Sequence, residues 1–315
     1  MPPSLVSLLL PTLLAAHGLR KKSLSQSGAI TAFVVGFLMI SGSTGKPGVD
    51  LGLKVWGASL IGFYLIGSRA TKYGKAKKRK LEQGYSDYGN RSGWQVLSNS
   101  FSAVVACSVW NALFVHHSVH SQLLSSLGIA SMGPSYSTEW CPLSRDISDG
   151  RSRVLLFAAL GHFACCLGDT LASELGILSS SPPRLVTTGK VVPPGTNGGV
   201  SVGGTLASLV GGATMGIIMS VSLILENSSC RSDWLSTSRD LVLWGALGGI
   251  AGSALDSLLG ATIQMTRYDE EKKLIVEDRF EGSQLKVLNG LNILTNNQVN
   301  VVSSIASALV VGLFA

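Results

Sequence analysis

Eight apolar stretches, each near the length that crosses a bilayer, divide this chain and constrain it more than any other feature. A hydrocarbon core takes about 20 mostly apolar residues per helix, within a range of roughly 17–25. On that rule the stretches are 3–18, 27–44, 51–68, 95–115, 153–178, 200–225, 240–265 and 297–315. Lipid offers no partner to backbone polar groups, so such stretches predict helices. The chain therefore reads as an all-α integral membrane protein, a polytopic bundle of about eight transmembrane helices with short glycine-rich connections. Residues 1–315 form one membrane domain in this reading. Composition agrees, with 14% charged residues and a mean hydropathy of +0.37; soluble domains carry about 25% charge. The Gly212/Gly216, Gly245/Gly249 and Gly248/Gly252 spacings predict close helix packing.

The net charge of +7 does not point to nucleic acid, because the basic residues cluster beside apolar stretches. Connections after the first, third, fifth and seventh stretches hold 18 of the 25 Lys and Arg residues. That asymmetry places the odd-numbered connections in the cytoplasm and both termini opposite. No basic residue precedes the first apolar run, so the run reads as an uncleaved span. The basic cytoplasmic loop 69–94 contains "KYGKAKKRK", a juxtamembrane anchor on anionic lipid. Residues 116–152 read as a flexible lumenal loop. The sequon at Asn227 falls in a lumenal connection and that at Asn90 in a cytoplasmic one, so glycosylation offers a test of orientation. Five cysteines (107, 141, 165, 166 and 230) are scattered, three of them in apolar stretches, and read as small hydrophobes rather than a disulfide framework.

Chemistry concentrates where charge meets grease. Asp169 and Glu174 lie in the fifth stretch, where an ionisable group at a helix centre costs roughly 2.5–3.5 kcal/mol. Helical spacing stacks Asp169 with Ser173 and Thr170 with Glu174, with Ala172 and Gly176 leaving room around them. Asp256 and Gln264 repeat the pattern in the seventh stretch. The connection "RLVTTGKVVPPGTNGGVS" follows the acidic patch. Its residues Gly195, Thr196, Asn197, Gly198, Gly199 and Ser201 predict a backbone cradle for phosphate at the start of the next helix. Lys190 adds a mobile positive charge. Carboxylates plus substrate phosphates suit Mg²⁺, which gives Asp169, Glu174 and Asp256 a metal-holding role. Arg91, Gln95 and Asn99, spaced by four, predict one polar helical face on which Arg91 clamps a phosphate. Asn296, Asn297 and Asn300 form another polar cluster.

Other features carry less. "GSTGK" at 42–46 lacks P-loop spacing, and His116, His117 and His120 have no partner cluster in sequence. A faint likeness between "GAITAFVVG" and "GGTLASLVG" leaves a second class open, a transporter or lipid-handling protein using the same acidic groups without kinase activity.

The segments "DTLASELG", "PRLVTTGKVVPPGTNGGVSVGG", "GSALDSLLGATIQ", "NNQVNVVSS" and "SRATK…NRSGWQVLSN" together resemble the transmembrane protein 19 family, which includes plant phytyl-phosphate kinases. The likeness runs in order from about residue 27 to the C-terminus, with Leu171 standing where the family pattern has tryptophan. The resemblance implies a kinase that transfers a phosphoryl group from a nucleotide, CTP, to an isoprenoid monophosphate. The endoplasmic reticulum is the expected location, since no transit signature begins the chain.

Overall fold

The computed structural model describes residues 4–42, 52–83, 89–128, 133–276 and 285–315. The end of the second expected span, the first residue of the third, most of "GSTGK" and parts of the two longer connections lie outside the described residues. The described chain is mostly helical, with α1 (Leu5–Arg20), α2 (Gln26–Ile40), α3 (Val55–Lys72) and α4 (Lys75–Lys78) first. There follow α5 (Gly93–Ser98), α6 (Phe101–Phe114), α7 (Val119–Ser126) and α8 (Arg151–Gly176). The chain finishes through α9 (Val202–Glu226), α10 (Ser228–Ser232), α11 (Trp234–Thr262) and α12 (Asn296–Phe314). Serines set several starts. Ser4, Ser25, Ser92, Ser118 and Ser201 each accept the backbone N–H three residues on, satisfying a donor the helix leaves open.

Helix occupies each of the eight apolar stretches, but length sorts them. The helices at Ser148–Gly176, Val202–Glu226, Trp234–Thr262 and Asn296–Phe314 are long and apolar enough to cross a membrane. A fifth candidate is α6 with α7, if that pair, bent by 79°, counts as one span. The helices α1 and α2 are apolar but only 16 and 15 residues long. Four to five spans therefore meet the length and composition rule, and eight crossings do not follow from it.

The four long helices pack through glycine. An added Cβ on Gly212 would lie 2.8 Å from the Gly249 Cα, and one on Gly211 3.0 Å from the Gly168 Cα. On Gly252 it would lie 2.6 Å from Cys165 Cβ, and on Gly216 it would meet the Leu241 backbone. These backbones touch because no side chain stands between them. The glycine pairs read from the sequence thus mark the α8–α9–α11 seam.

At one end of the bundle, residues 133–150 form a packed cap rather than a flexible loop. Phe114, Tyr136, Trp140 and Trp110 stack with ring centroids 5.2–5.9 Å apart, and Trp110 Nε1 donates to Ser152 Oγ at 2.8 Å. Asn227 is fully buried there. Its amide donates to Tyr136 Oη and the Trp140 carbonyl at 3.0 Å, and its Oδ1 accepts the Cys230 N–H at 2.8 Å. In the folded protein the Asn227 sequon is a structural residue and cannot report orientation. Burial pushes the Tyr136 phenol up to about 12, so it stays protonated beside Asn227. A disulfide joins Cys141 to Cys230, which corrects the reading of all five cysteines as hydrophobes; Cys107, Cys165 and Cys166 are free and buried. The pair closes a separation of 89 residues, so reduction, or Cys141→Ser, is expected to cost about 2–4 kcal/mol. Thermal unfolding of detergent-purified protein with and without reductant measures this.

The opposite end carries small sheets outside the all-helical expectation. Strands β1 (Glu82–Gln83), β4 (Thr266–Asp269), β5 (Leu274–Val276) and β6 (Leu285–Asn289) pair in the order β1-β5-β4-β6. A separate antiparallel pair joins β2 (Arg184–Leu185) to β3 (Gly199–Val200).

Candidate functional site

Between the ends of α8 and α11 and the starts of α9 and α12 lies a polar cavity of about 520 Å³. Its acidic pair follows from the helix seam. Gly248 sits against Gly161 and Ala164, and Gly252 against Cys165, so α8 and α11 run parallel there. One turn further on each helix come Asp169 and Asp256, side by side in the wall of the cavity. Asp256 Oδ2 accepts Ser303 Oγ at 2.9 Å and, with the Asn300 amide turned to satisfy both its ends, Asn300 nitrogen at 3.2 Å. Among the described residues neither aspartate is ion-paired with a basic side chain.

Glu174 also lines the cavity, but it is already engaged. Lys78 Nζ donates to Glu174 Oε2 at 2.6 Å and to the Ala70 carbonyl at 3.0 Å. Only 1% of the Lys78 side chain is exposed. One lysine of the "KYGKAKKRK" anchor is thus a buried partner of the site, which its place in a basic run gave no means of seeing. Asp169 and Asp256 thus have no basic partner among the described residues, whereas Glu174 is spent on Lys78. No group of three or more His, Cys, Asp and Glu suited to a metal occurs among the described residues. Two carboxylates could hold Mg²⁺ only together with substrate phosphates.

Arg91 enters the cavity from the other side, yet not from a helical face. Ser92 caps α5 in a capping box with Gln95, so the helix begins at Gly93 and Arg91 precedes it. The guanidinium donates to Ser68 Oγ at 3.0 Å and Thr71 Oγ1 at 3.3 Å. Burial lowers its pKa from the ordinary value while Glu174 acts in the opposite sense, so the cation is only partly compensated. Gln95 reaches the same cavity; Asn99 instead caps α5 and donates to the Gln95 carbonyl at 2.9 Å.

The glycine-rich connection lines the cavity with residues 194–201. Gly195 and Gly198 adopt φ of +89° and +75°, which favours glycine, and a Cβ on Gly198 would strike Ser257 and Ala261 of α11. Its backbone donors are partly spent. The N–H of Thr196 bonds Pro193, that of Asn197 bonds Thr266 Oγ1 and that of Gly199 bonds Thr196. The starts of α9 and α12 also face the cavity, through Ser201, Gly204 and Thr205 and through Asn296 and Asn300, although the Gly204 N–H is spent on Ser201 Oγ at 3.1 Å. Lys190 is exposed in the β2–β3 connection and does not line the cavity, nor does Asn297. Gln264 does, from just beyond α11.

With this geometry in place, the matches to known proteins carry weight. The family model described as "Integral membrane protein DUF92" matches residues 9–308. The chain belongs to the DUF92 family of integral membrane proteins. An Arabidopsis thaliana relative, Protein PGR, is 34% identical over 302 residues, 94% of this chain and 91% of its own. An uncharacterized membrane protein of Synechocystis is 28% identical over 222 residues, 68% of each chain. One from Methanocaldococcus jannaschii is 32% identical over 155 residues, 45% of this chain and 60% of its own. No solved structure matches this DUF92 chain.

Proposed function

We propose that this DUF92 protein is a membrane phosphotransferase, a CTP-dependent kinase acting on an isoprenoid monophosphate. The observation that carries the reading is one cavity in which two aspartates without a basic ion-pair partner among the described residues, Arg91 and two helix N-termini converge. The likeness of its motifs to the transmembrane protein 19 family and its phytyl-phosphate kinases motivates the choice of substrates. In the proposed step, an oxygen of the acceptor monophosphate bonds to the terminal phosphorus of the nucleoside triphosphate. The bond from that phosphorus to the bridging oxygen breaks, leaving nucleoside diphosphate and prenyl diphosphate. Such a transfer needs positioning and charge neutralisation more than acid–base help. Mg²⁺, held by Asp169 and Asp256, would supply neutralisation of phosphate charge. Arg91 would orient one phosphate from the α3 side, and the starts of α9 and α12 would receive another.

Two features support an orientation. The cavity lies at the end of the bundle that carries Lys72–Lys78, Arg184, Lys190 and Lys286, and the disulfide lies at the other. A disulfide belongs in an oxidising compartment, so this reading turns the cavity to the cytosol and fits the endoplasmic reticulum. Purified protein given terminally labelled CTP and a short prenyl monophosphate should form labelled prenyl diphosphate. Arg91→Lys should reduce turnover by about tenfold or more, since an ammonium cannot reproduce bidentate phosphate contact. Absence of diphosphate product in the wild type, with either cytidine or other nucleoside triphosphates, would remove the kinase reading.

A further inference from the structure

A second cavity, of about 110 Å³, lies among α1, α2 and α3, and its walls are apolar where the first is polar. Leu14, Val35, Leu60 and Phe63 furnish much of that wall. The two cavities share a wall. Arg91, Gln95 and Thr170 line both, so a cation and two polar side chains stand where hydrocarbon surroundings give way to the carboxylate-bearing chamber. Away from that junction the mostly apolar wall favours hydrocarbon over water. We infer that the two cavities together form one site for a single-chain amphiphile with a phosphate head. The head lies on the Arg91 side of the junction and its first carbons occupy the space between α1, α2 and α3. This rests on the phosphate-handling reading of the polar cavity and adds to it the place and the number of the chains.

Gly67 gives the inference a handle. It sits on α3 in the wall of the apolar cavity, and a Cβ there would meet only Thr170 Cγ2, at 3.7 Å, an ordinary contact. Alanine is therefore accommodated, while a leucine extends toward the junction and fills the path of a chain. The experiment measures binding of methyl phosphate, decyl phosphate and a two-chain phosphatidate to purified protein in nanodiscs. Wild type and Gly67→Ala should bind decyl phosphate more tightly than methyl phosphate. Gly67→Leu should lose about tenfold in decyl phosphate affinity, the effect of excluding roughly two methylenes, with methyl phosphate affinity unchanged. That last value also shows that the variant is folded, and Ala32→Leu, on the α2 wall, should repeat the result. Equal affinity of the wild type for methyl and decyl phosphate would overturn the chain site and leave the phosphate cavity standing. Phosphatidate binding as tight as decyl phosphate would overturn the single-chain assignment. Failure of the wild type to bind any of the three would overturn the phosphate cavity and this inference with it.

Discussion

Asp169→Asn is expected to abolish phosphoryl transfer while making the folded protein more stable. Asp169 and Asp256 face one cavity from neighbouring turns of parallel helices, with no cation of the described chain between them. Burying two carboxyl groups in one low-dielectric site is costly whichever of them keeps a proton, so an amide of the same shape relieves the resting protein. The same removal deprives a bound divalent cation and its phosphates of a ligand, and turnover should fall by about two to three orders of magnitude. Three measurements separate the parts. Labelled-product formation should collapse, the melting temperature should rise, and Mg²⁺ should no longer strengthen phosphate binding. A variant that keeps full turnover would take Asp169 out of the mechanism; one that merely unfolds would make it a packing residue.

Lys78→Met should be as damaging for a different reason. The Lys78 side chain is 1% exposed and its ammonium bonds Glu174 at 2.6 Å. Breaking a buried pair by removing one partner costs about 3–5 kcal/mol, because the other charge is stranded. A fall in melting temperature of roughly 10 °C is the expected scale. Pairing the change with Glu174→Gln removes the stranded charge and should restore most of the loss. Activity then decides the role of Glu174. If the double variant is both stable and active, the glutamate serves only to fix α8 against the α3–α4 turn; if it is stable and inactive, Glu174 also acts on substrate.

Much of the site could be read from single residues because carboxylates in apolar stretches are costly and therefore conspicuous. Asp169 and Asp256 stand out on those grounds, Arg91 and Gln95 by their spacing and the 195–201 connection by its glycines, and one cavity collects them. The helices were legible too, since apolar runs of this length have few alternatives. What escaped was pairing. Lys78 and Glu174 are 96 residues apart and Cys141 and Cys230 are 89 apart, and nothing in either neighbourhood names the partner. The strands escaped because two to five residues hold too little alternation to register, β6 with its sequence Leu285–Asn289 being the longest described. The α5 start shows a subtler limit. Spacing by four put Arg91 on a helix, but Ser92 and Gln95 close a capping box that begins the helix after it.

The glycine seam has a consequence for traffic. Directly behind Asp169 and Asp256, Gly168, Gly211, Gly212 and Gly249 press backbone to backbone, and Gly252 closes on the short side chain of Cys165. A solute moving from the polar chamber to the disulfide face along this line would have to pry apart helices whose contacts are main-chain atoms. The seam therefore closes the chamber on the side that faces the disulfide. On the proposed reading, a nucleotide that enters from water would leave without crossing this seam, and a chain would lie apart from it between α1, α2 and α3.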